Sequence, residues 1–593
     1  MSVREPIAGN LAPTPASYLQ ASRRVQAGEV PNLRDLRVAI LSTVSAQMLH
    51  PFLVVEGVRW GLHLAPWFAP FGQFEEQALE ARGALYAGNP EAIVVLARLE
   101  ELAPAFYLHF PGDQSQIPAL LDAVNERLRG LLQGLRQRTS AALFVANFLP
   151  PENPAAGLGD AMLASSQIAA VHRANASLAA ICRAVPGAYV FDYARTGAEH
   201  GWRGWHDARL QALARQPWSV AAQIAIARDL GRTLRAAFFS PSKCLVVDAD
   251  DTLWGGILGE EGTGGIALGN EYPGNVFQGF QAYLRILKER GVLLALVSKN
   301  EEAEVLAVLE KHADCVLRSV DFAARRINWR EKSVNLREIA AELNLGLEAL
   351  VFFDDNPFER EEVRQALPAV TVLEMPADPL RYIETIENSG VFDQLTFSAE
   401  DQQRAGLYQQ QLARVEASQA AATPEEFLTG LQMVATIGRV GPDTLPRVAQ
   451  LLAKTNQFNL TTRRHTAGQI AEMIGAGAIA LWLRLADRFG DHGLVGAAIA
   501  RPAGRAWMID TFLLSCRVIG RGAETALLSQ LAACVRSCSG DEMMGEYLPT
   551  SKNAVVADFY PQHGFTLERE NLWRKKLSDE TAAPGYIHIQ FHE

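Results

Sequence analysis

Hydrophobic positions in this chain alternate between two patterns: short, nearly all-apolar runs, and longer stretches of helical period. Leu36–Ser42, Ile93–Leu96, Ala142–Asn147 and Ala188–Asp192 are short runs of the first kind. Such runs suit strands covered on both faces of a parallel sheet. Ile117–Gln137 and Ala161–Ala184 lie between them with helical spacing, so an α/β layer is expected from about Pro31 to Ser240. The alternation resumes with Cys244–Val247, Val292–Val297 and Leu350–Phe353, and Lys332–Leu343 reads as a helix between the last two. A second α/β region is therefore expected over Ser242–Val391. Polar, Gln- and Ala-rich Glu400–Ala422 reads as a connecting helix, and Thr423-Pro424-Glu425-Glu426 opens the next helix with a cap and a first-turn proline. Trp507–Leu514 then reads as a strand, with a helix from Ala523 behind it. The expected division is 1–240, 241–395, a linker at 396–422, and 423–593.

Length agrees with several domains, because 593 residues exceed what one core can hold. A hydrophobic share of 49% and a charged share of 20% are ordinary for a soluble chain, and a net charge of −11 argues against a nucleic-acid backbone as the main partner. No apolar run reaches the length of a membrane span, and MSVREPIAGN lacks the charged-then-apolar pattern of a secretory signal. The six cysteines have neither metal nor disulfide spacing, so reduced thiols and a cytoplasmic location are expected.

The chemistry gathers where apolar runs stop. Lys243–Gly256 reads KCLVVDADDTLWGG: unpaired carboxylates cannot continue a buried strand, so the sheet must release the chain at Asp248. That places Asp248 and Asp250 at the carboxyl edge, where open α/β sheets build their sites. One acid can attack while the other transfers a proton, with Thr252 and the backbone orienting them. The next runs end in Ser298-Lys299-Asn300 and Asp354-Asp355-Asn356-Pro357, adding a hydroxyl and two more carboxylates, which suit a hard divalent ion. Gly255, Gly256 and Gly259 suit a tight flap-like turn. In the last region Arg517, Gly520 and Gly522 stand between a strand and a helix, a pattern whose backbone N–H groups can cradle a phosphate. Cys516, beside Arg517 and that helix, is the best-placed thiol, with His563 or His492 as possible bases.

The order strand-Asp, strand-Ser, Lys, strand-Asp-Asp resembles the haloacid dehalogenase (HAD) phosphotransferase superfamily. DADDTLWGG, VSKNEEAE, INWREKSVNLREIAAELNLG and VFFDDNPFERE within it resemble the FkbH-like proteins of polyketide biosynthesis, as do KTNQFNLTTRR and PTSKNAVVADFYPQHGF further on. Ala249 and Asp251 depart from the usual Asp-Leu-Asp-Asn-Thr wording at places without catalytic duty, and His492 departs at a polar or aromatic place. Arg-x-x-Gly-x-Gly resembles the acetyl-CoA loop of GNAT acyltransferases. Ser42, Asn147 and His206 are laid out as in SGNH hydrolases, without the Gly-Asp-Ser loop or an Asp three residues before His206. The fold class implied is multidomain α/β: an SGNH-like domain kept without its catalytic set, a HAD-like Rossmannoid parallel sheet and a GNAT-like α+β domain.

The resemblance also implies roles. Asp248 would attack phosphorus, Asp250 would serve as acid and then base, Ser298 would bond the phosphoryl group and Lys332 would balance its charge. Asp248, Asp354, Asp355 and the carbonyl of Asp250 would hold Mg²⁺, while Thr252, Lys299, Asn300, Arg517, Gly520 and Gly522 would bind substrate. The implied reaction takes glyceryl from 1,3-bisphosphoglycerate, removes phosphate, and loads glyceryl on the phosphopantetheine arm of an acyl carrier protein, with Cys516 as relay. A simpler phosphatase of a small metabolite and a carrier-protein docking scaffold are the alternatives.

Overall fold

The computed structural model describes residues 11–108, 116–163, 166–202, 204–397, 423–455, 457–550, 552–578 and 582–592. The linker helix expected at 400–422 lies outside them. The chain packs as two units, 1–238 with 465–472, and 239–464 with 473–593.

In the first unit β1 (Arg34–Ser42), β2 (Leu62–Phe68), β3 (Ala92–Leu96), β4 (Ala142–Ala146) and β5 (Ala188–Phe191) form a parallel sheet in the order β2-β1-β3-β4-β5. β3 and β4 are buried at every residue, as their unbroken apolar sequence requires. The sequence reading did not anticipate β2. It is an edge strand, and its half-exposed His63 and Pro66 interrupt the apolar run.

The second unit holds two sheets. One is parallel, with β6 (Cys244–Val247), β7 (Leu293–Ser298), β8 (Phe322–Ile327), β9 (Leu350–Phe353) and β10 (Thr371–Val372) in the order β10-β9-β6-β7-β8. β6, β7 and β9 are completely buried, while the unanticipated edge strand β8 carries Arg325 and Arg326. Register decides the chemistry: Val247 stands beside both Leu296 and Phe353, so adjacent strands release Asp248, Ser298 and Asp354 at one edge.

The other sheet contains β11 (Met433–Arg439), β12 (Phe458–Asn459), β13 (Ile479–Asp487), β14 (Gly490–Ala503), β15 (Ala506–Leu514), β16 (Glu542–Glu546), β17 (Thr566–Arg569), β18 (Leu572–Lys576) and β19 (Ile587–His592). Its path is β17-β18-β16-β15-β14-β13-β11-β19, with β12 on β15. β15 and β16 are parallel and pair only over Ala506–Ile509 and Glu542–Gly545, and β12 takes up Leu513 and Leu514. The carboxyl half of β15 is thus free of β16, just before the loop to the helix Ala523–Ser537. An antiparallel run is thus joined to a diverging parallel pair. Although the sequence separates these two regions, they pack together: Cys516 shares an apolar cluster with Leu336, Ile339, Leu343 and Leu345 of the HAD-like part.

Candidate active site

Lys332 opens the helix Lys332–Glu342 and sends its ammonium group between two strand ends, 3.0 Å from Asp248 Oδ2 and 2.5 Å from Asp354 Oδ2. The lysine is 2% exposed, so the contact forms where water screens little. Burial alone would lower the lysine pKa, but the charges of Asp248 and Asp354 outweigh it and the net shift is upward, keeping the cation. Asp354 Oδ1 accepts from the N–H of Asn356, and Arg360 Nη1 donates at 2.7 Å to the carbonyls of both Asp354 and Asp355. Arg360 thus fixes the turn from beneath. It lies inside the VFFDDNPFERE wording, but its spacing in the sequence carries no sign of that duty.

Three carboxylates face this one ammonium group. Asp248, Asp354 and Asp355 each offer an oxygen within 4.8 Å of the others. Burial first, and the Asp248 charge second, push Asp354 up to about 7 and Asp355 up to about 6. Asp248 Oδ1 is buried and has no hydrogen-bond partner among the described residues. Excess negative charge around an oxygen with unused lone pairs is what a hard divalent cation would relieve.

Asp250 is held differently. Its Oδ1 accepts from the indole N–H of Trp254 at 2.9 Å and the backbone N–H of Leu258 at 3.2 Å, and its Oδ2 accepts from Asn300 Nδ2 at 2.9 Å. Asn300 Nδ2 also donates to Ser298 Oγ at 3.2 Å, which links the two motifs. The intervening loop turns through Asp251 at φ +48° and Gly256 at φ +90°, and Asp251 Oδ1 accepts from the Gly256 N–H at 2.8 Å. A side chain at Gly256 would be strained and would meet the Glu261 carboxylate. The carboxylate of Asp250 stands outside the three-carboxylate group.

The other expected residues are placed as follows. Thr252 is fully buried with its hydroxyl 3.9 Å from Met375 Sδ, so it packs beneath the loop instead of touching substrate. Lys299 pairs with Glu359 at 2.5 Å. Gly520 and Gly522 have φ of +76° and +79°, as a cradling loop needs, while Arg517 Nε donates to Ser515 Oγ at 3.3 Å. Asn344 donates to the carbonyl of Cys516, so the cysteine sits at the far end of the helix that Lys332 begins. That helix has 11 residues. At about 1.5 Å per residue it separates the thiol from the phosphoryl site by roughly 16 Å. The thiol expected as a relay is buried in an apolar cluster and stands apart from Asp248. Both ring nitrogens of His563 are engaged, by Thr525 and the carbonyl of Phe559, and His492 Nε2 faces Asp487 and Arg521. In the first unit Ser42 Oγ donates to the carbonyl of Leu96, and Asn147 is locked to Asp192 and Ala194.

A central strand releasing two aspartates, flanked by strands that bring a serine and an acidic pair around a buried lysine, defines a HAD-type phosphatase domain. Residues 37–230 match the family model described as FkbH, N-terminal domain. No curated protein matches it in sequence. Among solved structures it is similar to the N-terminal part of BF1531 from Bacteroides fragilis, which contains a phosphatase domain complexed with Mg. The identity is 28%, covering 65% of this chain and 100% of that one, with a TM-score of 0.55. A GNAT-family acetyltransferase from Staphylococcus aureus matches at 9% identity over 24% of this chain and 99% of its own, with a TM-score of 0.20. The ribosomal-protein-S18-alanine N-acetyltransferase from Escherichia coli matches at 13% over 24% and 94%, also with a TM-score of 0.20. No helix among the described residues is long and apolar enough to cross a membrane.

Proposed function

We propose that this protein removes the phosphoryl group of a phosphorylated three-carbon acid in a Mg²⁺-dependent reaction, and that the acid passes as a thioester to an acyl carrier protein. The observation that carries the reading is Lys332 bridging Asp248 and Asp354 while Asp248 Oδ1 is left without a partner. Asp248, Asp354 and Asp355 would hold Mg²⁺, which supplies charge neutralisation for the phosphoryl oxygens. The Mg-bound phosphatase domain of the Bacteroides relative supports that choice of ion.

With 1,3-bisphosphoglycerate two bonds must break. The carrier's thiolate attacks the acyl carbon, forms the thioester and expels the 1-phosphate. Asp248 attacks the phosphorus of the 3-phosphate, breaking its bond to the C3 oxygen, and Asp250 gives that oxygen a proton. Asp250 then takes a proton from water, which attacks the aspartyl-phosphate and releases phosphate. Ser298 and Lys332 stabilise the transferring group. Because Cys516 is buried and distant, the carrier's own thiol is the acceptor in this reading.

Intact-protein mass spectrometry of a carrier protein incubated with 1,3-bisphosphoglycerate and Mg²⁺ tests it. The expected result is a glyceryl mass gain on the pantetheine arm, lost with Asp248→Asn or replaced there by phosphoglyceryl. Cys516→Ala should still load the carrier. Unchanged phosphate release by Asp248→Asn would overturn the reading.

A further inference from the structure

Two parallel strands that diverge leave a gap between them, and here the chain fills it with its own backbone. β15 and β16 part after Ile509 and Gly545, and the segment 458–461 enters alongside the freed half of β15. The Leu460 N–H donates to the carbonyl of Phe512 in β15 at 3.2 Å, and the Leu460 carbonyl accepts from the N–H of Leu548, just beyond β16, at 2.9 Å. Thr461 Oγ1 donates to the carbonyl of Asp510 at 3.0 Å. Asn553 Nδ2 clamps the other side, donating to the carbonyls of Asn459 and Leu548 at 2.9 and 3.0 Å. Asn459, Leu460 and Asn553 are fully buried. An extended, amide-bearing arm binds a strand through the backbone groups of its edge, and these bonds already occupy that edge.

The glycine loop that follows β15 is filled in the same way. A Cβ on Gly522 would stand 2.6 Å from Tyr586 Oη and 3.1 Å from Pro584 Cγ, so the segment leading into β19 lies directly on this glycine. Glu524, in the first turn of the helix Ala523–Ser537, brings a carboxyl group to the same place. Burial raises its pKa, while the backbone N–H groups of Glu524 and Gly522 act on it in the opposite sense. Its Oε2 is buried with no partner among the described residues. A pyrophosphate approaching those N–H groups would meet a carboxylate where water screens little. Arg521 is turned inward, with Nη1 3.3 Å from Asp487 Oδ2 and 3.0 Å from His492 Nε2. The start of the loop belongs to the HAD-type part: Cys516 lies in its apolar cluster and accepts from Asn344, and Ile519 packs against both that cluster and the core of the large sheet.

We infer that the loop 516–522 is an internal joint between the large sheet and the HAD-type part, and that it takes no coenzyme A thioester despite its Arg-x-x-Gly-x-Gly spacing. The strand edge, the glycine cradle and the Arg521 cation are each committed to groups of the same chain. The joint lies away from the phosphatase site and does not rest on that reading.

Coenzyme A added to the full chain tests the inference. Isothermal titration at millimolar coenzyme A should give no saturable heat. Hydrogen exchange read by mass spectrometry should find the amides of 458–461 protected within about tenfold of those in β13 and β14, and unchanged by coenzyme A. Ile519→Ala, which removes the side chain shared by the two cores, should speed exchange in the helix Lys332–Glu342 by about tenfold or more. The first two measurements need no variant, so they decide the matter even if Ile519→Ala does not fold. Saturable binding of coenzyme A, exchange at 458–461 as fast as in an exposed loop, or wild-type exchange of the helix in Ile519→Ala would each overturn the inference.

Discussion

Two parallel five-stranded sheets in one chain differ sharply at the same edge. In the HAD-type sheet the central strand and its two neighbours stop in register, and a lysine from the following helix draws the carboxylates of Asp248 and Asp354 together. In the first sheet Ser42 and Asn147 also stand at strand ends, but each spends its side chain on local partners. A shared edge therefore creates a place for chemistry without supplying it. What distinguishes the sheets is whether the released side chains converge on a common point or bond to their own loops.

The strongest way to break that contrast is to remove the converging nucleophile. Asp248→Asn should lower phosphate release by about a thousandfold or more, since groups acting as a unit fail together. Steady-state kinetics with a phosphomonoester would measure it. The acid's support comes next. Trp254→Phe removes an indole donor from Asp250 and should slow hydrolysis of an alkyl phosphate by roughly tenfold to a hundredfold. In a pre-steady-state burst, which reads formation of the aspartyl-phosphate alone, p-nitrophenyl phosphate, whose leaving group needs no proton, should react nearly as before. Equal loss on both substrates would mean that the tryptophan only supports the fold.

Reading the sequence located this site because β6 is a run of four buried residues stopped by an aspartate. The physics of burial is written there one residue at a time. Lys332 was not legible from spacing, only from the resemblance of its surrounding wording. The clasp on Asp250 was not legible at all, because Trp254 and Leu258 reach it through a loop with a left-handed residue and no periodicity. The burial of Cys516 was not legible for a similar reason. Its neighbours in sequence suggested an activated thiol, whereas it packs in an apolar cluster with Leu336, Ile339 and Leu343, and its carbonyl accepts from Asn344, 172 residues earlier.

A third test uses pH. Asp354 stands at about 7 against an ordinary 3.8, so without a cation the folded chain holds a proton that the unfolded chain has lost across that interval. Stability of the metal-free protein should therefore fall as pH rises from about 4 to 7. A cation favours the ionised carboxylates, so the rise in Tm on adding Mg²⁺ should be larger at pH 8 than at pH 5. Asp354→Asn should flatten that difference, and an equal Mg²⁺ effect at both pH values would place the ion elsewhere.

The smallest effect is expected from Ser42, and it sharpens the comparison from the other side. Its hydroxyl donates to the carbonyl of Leu96 at 3.1 Å and accepts from the Val44 N–H at 3.2 Å, so it closes the end of β1. His206 is directed to Glu152 and its pKa is lowered, by burial first and by Arg98 next. A serine nucleophile needs a base that takes its proton, and here the proton is already given to a carbonyl. Ser42→Ala should leave phosphate release within about twofold of the wild type and cost only about 1 kcal/mol of stability, as for one buried hydrogen bond. A fluorophosphonate probe should leave Ser42 unlabelled in the wild-type chain. Stoichiometric labelling at Ser42 would make the first sheet a second catalytic edge and dissolve the contrast between the two.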